Sequence, residues 1–466
     1  MNSEEFRKYG HEVVDWMSDY LADAGKYPVL PSVKPGDLTA ALPSSGPEAG
    51  EPMDRILDDF RSQIIPAVTH WNHPRFMAYF AVSASAPGIL GEMLSATLNV
   101  NGMVWKSCPA VVELEQVVLG WLREWMGLPE SFFGCIYDTA SVSSMHAIAA
   151  AREWADPDAR IHGAHTNLVM YTSEQSHSSI EKGAIAIGIG QENVRKVPAD
   201  SEFRMDVDAF RAMLEADIAS GKKPFCVTAT TGTTSTTSID PVPRIADIAE
   251  KHGLWLHVDA AYAGPAAIVP EFRWVLDGAS RAHSMVMNPH KWLFTPIDVS
   301  VFYTSRPDIL RRAFSLIPEY LKTAEDPKAI NLMDYGVPLG RRFRALKLWF
   351  VLRYYGREGI IAILREHIRC AQELAKLVAA DPDFEIAAPH PLSVVCFRYR
   401  GSDDDNRRLM DAVNATGVAF LSHTVLNGRF VIRLAIGNIA TTWKDVVTVW
   451  DLVKKSVRRR EPASAG

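Results

Sequence analysis

The sequence predicts an α/β protein with a mostly parallel sheet covered by helices on both faces. Between residues 139 and 305, short apolar runs alternate with helical patterns, as expected for successive β-α-β units. Several of these apolar runs end directly in polar residues, which is typical of a strand that leaves a buried sheet. Because 466 residues exceed what one compact core holds, we expect two or three lobes.

The predicted strands of the large sheet are short apolar runs at residues 168–172, 225–228, 254–258, 284–287 and 299–303. Helical patterns lie between them, for example at 207–219 and 244–252. From residue 343 onward the order of predicted elements changes. Helices are predicted at 343–355, 357–380 and 442–460, and strands at 392–399 and 429–436. This alternation predicts a smaller C-terminal α+β lobe.

The N-terminal part reads differently. Residues 3–24 form an amphipathic helical pattern, with Ser3 as its expected cap, and a proline-rich connector follows from residue 31 to 52. We therefore predict three parts: an N-terminal helical segment at 1–80 that packs on a partner subunit, a large domain at 81–345, and a small α+β domain at 346–466.

Composition excludes several classes of protein. The net charge of −6 offers no broad basic field for nucleic acid. No apolar segment approaches 18 residues, and the acidic start does not read as a signal peptide, so no membrane partner is expected. The five cysteines are dispersed and form no C-x-x-C pair, which predicts reduced thiols in a cytoplasmic protein rather than disulfides or a metal site.

A hydroxyl-rich turn precedes an alanine-rich helix predicted at residues 145–154. The turn runs from Asp138 through Thr139, Ala140 and Ser141. Free backbone N–H groups and the helix dipole at such a turn favour a phosphate. An ordinary helix cap is the alternative, because Ser and Thr fill that position in many helices.

An Asp and a Lys each follow a predicted strand. The run at 254–258 ends in Asp259, and the run at 285–287 leads into Asn288-Pro289-His290-Lys291. Ligands of open α/β sheets bind at the carboxyl ends of strands. Pyridoxal phosphate needs a Lys for its Schiff base and an acid that keeps its pyridine nitrogen protonated. This pair therefore predicts pyridoxal phosphate as the cofactor.

Each of these residues also has a simpler interpretation. Asp259 could cap a loop, and Lys291 could be a surface lysine, although the apolar residues 292–294 favour partial burial. His177 follows another predicted strand and could stack on a cofactor or be an ordinary loop histidine. The threonine-rich stretch at 228–237, broken by Gly232, could line a polar site or be a β-rich loop.

Longer motifs resemble a known family, the group II pyridoxal-phosphate decarboxylases, and within it the aromatic-L-amino-acid decarboxylases. They are residues 173–179 (SEQSHSS), 259–264 (DAAYAG), 288–292 (NPHKW) and 338–344 (PLGRRFR). Further similar stretches include residues 70–71, 76–80 and 430–433, so the resemblance covers nearly the whole chain. It implies the fold type I architecture of pyridoxal-phosphate enzymes and a homodimer with shared active sites.

The resemblance also implies roles for individual residues. Lys291 would form the Schiff base, Asp259 would pair with the pyridine nitrogen, and His177 and Ala261 would cover the two faces of the ring. The implied cofactor-binding set is Thr139, Ala140, Ser141, His177, Thr234, Asp259, Ala261, Asn288, His290 and Lys291. The implied substrate-binding set is Tyr79, Phe80, Val82, Asn101, Met103 and Gly340, with Asn101 and Met103 reaching the partner's site.

The implied reaction is decarboxylation of an aromatic L-amino acid through an external aldimine and a quinonoid. The substrate amine displaces Lys291, carbon dioxide leaves as electrons flow into the ring, and Tyr320 protonates the α-carbon with His177 as a possible relay. In this family, loss of the loop Tyr or the stacking His goes with aldehyde formation, and this chain keeps both residues.

Departures from the family shape the expected substrate. Val82 stands where animal members carry a hydroxyl that helps to hold a catechol, and Gly340 is the residue type that in plant relatives goes with indole or unsubstituted phenyl substrates. Tryptophan or a phenylalanine-like substrate is therefore favoured over tyrosine or dopa. The alternatives are an aromatic aldehyde synthase on the same scaffold and a decarboxylase of another amino acid, such as histidine.

Overall fold

The computed structural model describes residues 1–316 and 329–458. Its strands are β1 (Phe76–Met77), β2 (Phe133–Tyr137), β3 (Leu168–Ser173), β4 (Val194–Val197), β5 (Lys223–Thr230), β6 (Trp255–Asp259), β7 (Ser284–Met287), β8 (Ser300–Thr304), β9 (Phe384–Ile386), β10 (Val394–Tyr399), β11 (Phe420–Leu426) and β12 (Arg429–Ala435).

The α-helices are α1 (Ser3–Ala22), α2 (Asp37–Ala41), α3 (Met53–Asp59), α4 (Ala86–Leu98), α5 (Pro109–Met126), α6 (Ala140–Ala155), α7 (Ala159–His162), α8 (Ser178–Ala186), α9 (Val207–Ala219), α10 (Val242–His252), α11 (Pro289–Trp292), α12 (Pro307–Phe314), α13 (Arg344–Ala380), α14 (Asp403–Asn414) and α15 (Trp443–Arg458).

The large sheet has seven strands in the order β2-β8-β7-β6-β5-β3-β4. All neighbours pair in parallel except β8, which runs antiparallel to both β2 and β7. Helices α6, α8 and α12 pack on one face, and α5 and α10 pack on the other. The structure thus confirms the predicted fold class, a mostly parallel sheet covered on both faces.

A second sheet of five strands, in the order β1-β11-β12-β10-β9, forms the core of the C-terminal lobe with α14 and α15. Its edge strand β1 comes from the N-terminal part of the chain and pairs in parallel with β11, Phe76 opposite Phe420. The residues before the large sheet are therefore bound to the last lobe. The division into segments at 1–80, 81–345 and 346–466 remains a prediction.

Two helix starts differ from the predictions. Asn2, rather than Ser3, caps α1, because its side chain accepts the amides of Glu4 and Glu5 while the Glu5 carboxylate accepts the Asn2 amide. Helix α6 begins at Ala140 rather than at residue 145, since Thr139 is the extended residue that precedes it. The hydroxyl-rich turn is therefore the first turn of the helix itself.

Helix α13 confirms a break that the sequence predicts. Gly356 adopts φ +62° and ψ 175°, so the helix is interrupted between its two predicted halves. A side chain is strained in that region of φ, and glycine is not. The helix packs against α4 and α5, and its residues from Cys370 to Val378 belong to the core of the small sheet.

Within the described residues, no helix is long and apolar enough to cross a membrane. The five cysteines are free thiols, and four of them are buried.

Gly91 marks the closest approach of α4 to α13, and it generates a stability prediction. A Cβ there would lie 2.7 Å from the Lys347 Cα, so the helices would have to move apart. We expect Gly91→Ala to lower stability by about 1–3 kcal/mol, measured as a lower urea midpoint.

Gly120→Ala is the matched control, because Gly120 lies inside α5 with no atom within 4 Å of its Cβ position. There the gain in helix propensity acts alone, and the midpoint should rise. Equal behaviour of the two variants would contradict the proposed close packing.

Candidate active site

Five strands of the large sheet deliver polar residues to one edge. Strands β3, β5, β6 and β7 are parallel, and β2 runs in the same direction because β8 is antiparallel to both β2 and β7. Their carboxyl ends therefore lie on one side of the sheet. Every loop that carries a predicted cofactor residue leaves from this edge, as the position of ligand sites in open α/β sheets predicts.

A cleft of about 200 Å³ opens at this edge. Its lining residues are Phe80, Thr139, Ala140, Ser141, His177, Ser179, Thr230, Gly232, Thr234, Asp259, Ala261, Tyr262, Asn288, His290 and Lys291. The cleft thus brings together the whole predicted cofactor-binding set and one predicted substrate residue, Phe80. The roles of these residues remain predictions.

Asp259 is the last residue of β6 and is buried. Its Oδ1 accepts the backbone N–H of Ala261 at 3.1 Å. The Asp259 carbonyl accepts the amide of Thr231 at 2.8 Å, which ties it to the end of β5. Oδ2 makes no hydrogen bond to the described part of the chain, so one carboxylate oxygen is available to a ligand in the cleft.

Lys291 lies on the one-turn helix α11, whose backbone is fixed by a 3.0 Å hydrogen bond from its own amide to the Asn288 carbonyl. Its Nζ lies 5.3 Å from the centre of the Phe80 ring. Burial lowers the pKa of the Lys291 amine, and the attraction of Asp259 opposes that shift without cancelling it. The cleft therefore shifts the amine toward its neutral, nucleophilic form.

Another part of the cleft lining suits an anion. Helix α6 starts there, and the amides of Ala140 and Ser141 donate no hydrogen bond to the described residues. The buried side-chain amide of Asn288 has no partner at its Oδ1, and its Nδ2 is the end that can donate to an anion. Unused polar groups of this kind in a folded protein indicate a bound partner such as a phosphate.

His177 precedes α8, and its Nδ1 accepts the backbone N–H of Ser179 at 3.2 Å and lies 2.8 Å from the Ser179 hydroxyl. Since Nδ1 is an acceptor, the proton of the neutral ring is on Nε2. Burial and the neighbouring Lys291 lower the pKa of His177, whereas Asp259 raises it. The ring is thus a neutral group at the mouth of the cleft.

His290 is buried between Lys291 and β8. Its Nδ1 accepts the amide of Val299 at 3.0 Å, which leaves the proton on Nε2. Burial, together with the charge of Lys291, lowers its pKa to about 3. His290 therefore contributes a neutral N–H donor to the cleft across the physiological pH range.

Several predicted substrate residues do not line this cleft. Asn101, Met103 and Gly340 form a separate group, in which Asn101 Oδ1 accepts the amide of Arg341 at 2.9 Å and the carbonyl of Met103 accepts the amide of Met333 at 3.0 Å. Arg341, which contacts Asn101, also forms a buried ion pair with Glu115.

Two further predicted substrate residues also lie outside the lining. Tyr79 is exposed with φ +52°, and Val82 is half-buried. Tyr320 lies outside the described residues.

Four lining residues were not predicted as site members: Ser179, Thr230, Gly232 and Tyr262. Gly232 has φ +89°, and a Cβ would come within 2.8 Å of the Ala263 side chain, so glycine is required there. The glycine inside a threonine-rich stretch was a signal for this position. Tyr262 stacks on Phe80 at 3.9 Å between ring centres and forms an aromatic wall.

Arg433 is a buried cation that the sequence indicated only as part of a motif. Its guanidinium donates to the carbonyls of Ser235 at 2.8 Å and Tyr79 at 3.1 Å, and it lies 5.2 Å from the Phe80 ring. Among the described residues no carboxylate pairs with it. Burial lowers its pKa. No local pattern could identify this contact, because the partners are about 200 and 350 residues apart in sequence.

An amine with a lowered pKa, a free carboxylate oxygen and a helix N-terminus with free amides at one sheet edge are the features of an α/β enzyme that binds a phosphorylated carbonyl cofactor through a lysine. Residues 35–400 match the pyridoxal-dependent decarboxylase conserved domain. The chain therefore belongs to the pyridoxal-dependent decarboxylase family, which confirms the resemblance of its motifs.

Full-length relatives agree with this family. Phenylacetaldehyde synthase from Arabidopsis thaliana is 41% identical, with 98% of this chain and 96% of that protein covered. Tryptophan decarboxylase 2 from Oryza sativa subsp. japonica is also 41% identical, with 97% and 95% covered. A crystal structure of Oryza sativa TDC with PLP and tryptamine superposes with a TM-score of 0.96 at 36% identity and covers 99% of each chain.

The lowered pKa of Lys291 gives a prediction for the cofactor-free protein. Because burial disfavours the ammonium form, Lys291 should react with a small amine-directed reagent at a lower pH than a lysine in water. The measurement is the rate of modification of the peptide that contains Lys291, followed by mass spectrometry as a function of pH.

Lys291→Arg identifies the modified peptide, since it should abolish the signal without removing the positive charge. A midpoint at or above the ordinary value for lysine would contradict the buried amine.

Proposed function

We propose that this protein decarboxylates an aromatic L-amino acid, with tryptophan or a phenylalanine-like substrate favoured, to the amine and carbon dioxide. The observation that carries the proposal is the cleft itself, where Lys291 and Asp259 share one space with the stacked rings of Phe80 and Tyr262. An amine and an acid serve the cofactor, and an aromatic wall suits an aromatic side chain.

The cleft fits pyridoxal phosphate by the chemistry of its donors. The free amides of Ala140 and Ser141 and the Nδ2 of Asn288 are donors that suit the phosphate, while Asp259 Oδ2 suits the pyridine nitrogen and Lys291 the aldehyde carbon. When bound, the cofactor supplies an electron-accepting ring that allows an α-carboxylate to leave as carbon dioxide. Asp259 Oδ2 would accept a hydrogen bond from the ring nitrogen.

The remaining step is proton delivery to the α-carbon. We assign it to Tyr320, with His177 holding its proton on Nε2 as a relay. His177 is neutral because its surroundings lower its pKa. A neutral imidazole donates a hydrogen bond from Nε2 without placing a positive charge beside the Lys291 amine.

An aromatic aldehyde synthase is the second candidate, and the identity of 41% to a phenylacetaldehyde synthase favours its consideration. The identity to a tryptophan decarboxylase is the same, so overall similarity does not separate the two activities. The retained His177 and Tyr320 support simple decarboxylation. Gly340 and the apolar Val82 support an indole or phenyl side chain over a catechol.

The product analysis tests both candidates. Purified protein with added pyridoxal phosphate is incubated with L-tryptophan, phenylalanine, tyrosine, dopa and histidine, and amine, aldehyde and hydrogen peroxide are measured together. We expect amine without peroxide from tryptophan or phenylalanine, and no turnover from Lys291→Ala, because that variant lacks the reactive amine.

Aldehyde with stoichiometric peroxide would identify a synthase. Undiminished turnover by Lys291→Ala would overturn the assignment of the site, and amine from histidine alone would overturn the aromatic substrate.

We further propose a cytoplasmic homodimer with shared active sites. The five free cysteines support a reducing compartment. The apolar side of α1 supports packing against another subunit, because none of its residues is buried although Val13, Trp16 and Met17 form one apolar stripe with α3. Asn101, Met103 and Gly340 lie outside the cleft of their own chain, which supports a role in the partner's cleft.

Subunit mixing tests the shared site. Lys291→Ala and a substrate-side variant, Met103→Glu, should each be inactive as homodimers. After mixing and reassociation, half of the dimers are hybrids with one intact site of two, so about one quarter of wild-type activity should return. A mixture without regained activity, from variants shown to exchange subunits, would contradict sites that combine both chains.

A further inference from the structure

The residue that follows Lys291 is held by an unusual partner. Trp292 is fully buried, and its indole Nε1–H donates to Nδ1 of His367 at 3.0 Å. His367 lies on the second half of α13. Because Nδ1 accepts this bond, the proton of the neutral imidazole is on Nε2. Burial lowers the pKa of His367 to about 4, while a hydrogen bond with the Asn438 backbone opposes that shift.

Asn438 extends this contact to the segment that precedes β1. Its Nδ2 donates to the carbonyls of Trp71 at 3.0 Å and His73 at 3.2 Å, and its Oδ1 accepts the amide of Ala440 at 2.9 Å. The side-chain amide is buried and fully used. The segment that it holds leads directly into β1 and then to Phe80 in the cleft.

A second route joins the same two ends through aromatic rings. Phe80 stacks on Tyr262 at 3.9 Å between ring centres, and Tyr262 stacks on Trp292 at 4.8 Å with an interplanar angle of 4°. The hydrogen bonds through His367 and Asn438 and the ring stack through Tyr262 therefore both connect Trp292 with the cleft wall. The indole is therefore fixed both in its plane, by the stack, and along its edge, by the hydrogen bond to His367.

Helix α11 needs such support. It has four residues, and a single turn cannot hold its own conformation without tertiary contacts. Since Trp292 is the adjacent residue, an indole anchored by these contacts restrains the backbone that carries the Lys291 side chain.

We propose that His367 is a positioning residue for Lys291, acting through the indole N–H of Trp292, and that Asn438 ties this pair to the segment that forms the cleft wall. The inference rests on the proposed role of Lys291 as the residue that binds the cofactor. It adds a constraint that neither the motif around Lys291 nor the lining of the cleft contains, because His367 and Asn438 do not line the cleft.

The test compares His367→Leu and Trp292→Phe with the wild-type protein. Both variants break the hydrogen bond while keeping an apolar or aromatic side chain. Two quantities are measured besides melting temperature: the pH midpoint of Lys291 modification in cofactor-free protein, and the dissociation constant of added pyridoxal phosphate. We expect the midpoint to rise as the amine gains water, and the affinity to fall about tenfold, the factor that one hydrogen bond represents.

Two further variants separate positioning from stability. His367→Gln retains an acceptor for the indole and should restore most of the affinity and the midpoint. Trp255→Phe is the matched control, because Trp255 is equally buried and donates its indole N–H to Ser284 at 2.9 Å at the amino end of β6, away from Lys291. It should lower the melting temperature but leave both Lys291 readouts unchanged.

If His367→Leu and Trp292→Phe lower only the melting temperature, as Trp255→Phe does, the inference is wrong and the contact is merely structural. If His367→Leu does not fold, Trp292→Phe against Trp255→Phe decides alone. A failure of the proposed function gives a different result, which does not involve the His367 or Trp292 variants. If Lys291 did not bind the cofactor, Lys291→Ala would bind pyridoxal phosphate with the affinity and absorbance of the wild-type protein.

Discussion

The burial of one amine is the constraint on which the rest of the site depends. A lysine ammonium is stable in water, and its removal from water favours the neutral form. Burial in the cleft lowers the pKa of Lys291 in this way, and the nearby Asp259 reverses that shift only in part. The Phe80 ring lies 5.3 Å from the Lys291 Nζ and stacks on Tyr262, so the amine faces an aromatic wall on one side. A structure that relaxed around Lys291 would restore its ordinary protonation and lose its nucleophilicity.

The sheet satisfies this constraint by geometry. Five carboxyl ends on one edge place an acid, an amine, an imidazole and a helix N-terminus within one cleft of about 200 Å³. Strand β8 is inserted antiparallel between β2 and β7, so β2 still points in the direction of its parallel neighbours. The turn after β2, which is proposed to bind the phosphate, thereby reaches the same edge as Asp259 and Asn288.

Much of this arrangement follows from local sequence. Periodicity places the strands that carry Asp259 and Asn288, and polar residues at strand ends indicate a site because buried strands do not otherwise tolerate them. The break at Gly356 is equally local. The antiparallel direction of β8 and the pairing of Phe76 with Phe420 are not, because both depend on partners distant in sequence. For the same reason, local sequence could not predict the contact of Arg433 with Tyr79 or the contact of Asn101 with Arg341.

The buried pair of Arg341 and Glu115 lies between the two groups of site residues. One group lines the cleft, and the other contains Asn101, Met103 and Gly340. Arg341 donates to Glu115 at 3.1 Å and to the carbonyl of Ile136 at 2.7 Å, while the Ile136 amide donates to Glu115 at 2.8 Å. Burial raises the pKa of Glu115, and Arg341 opposes that shift. Such a pair contributes little net stability, but loss of one partner leaves a buried charge.

Ile136 belongs to β2, the strand that ends two residues before Thr139. One strand thus carries both the start of the turn proposed to bind the phosphate and the support for Asn101 and Gly340. In the proposed dimer, a displacement of β2 would therefore affect the phosphate side of one cleft and the substrate side of the other together. Because a buried ion pair contributes little net stability, the effect of the Arg341–Glu115 pair is mainly on where Arg341, and with it Asn101, is placed relative to β2.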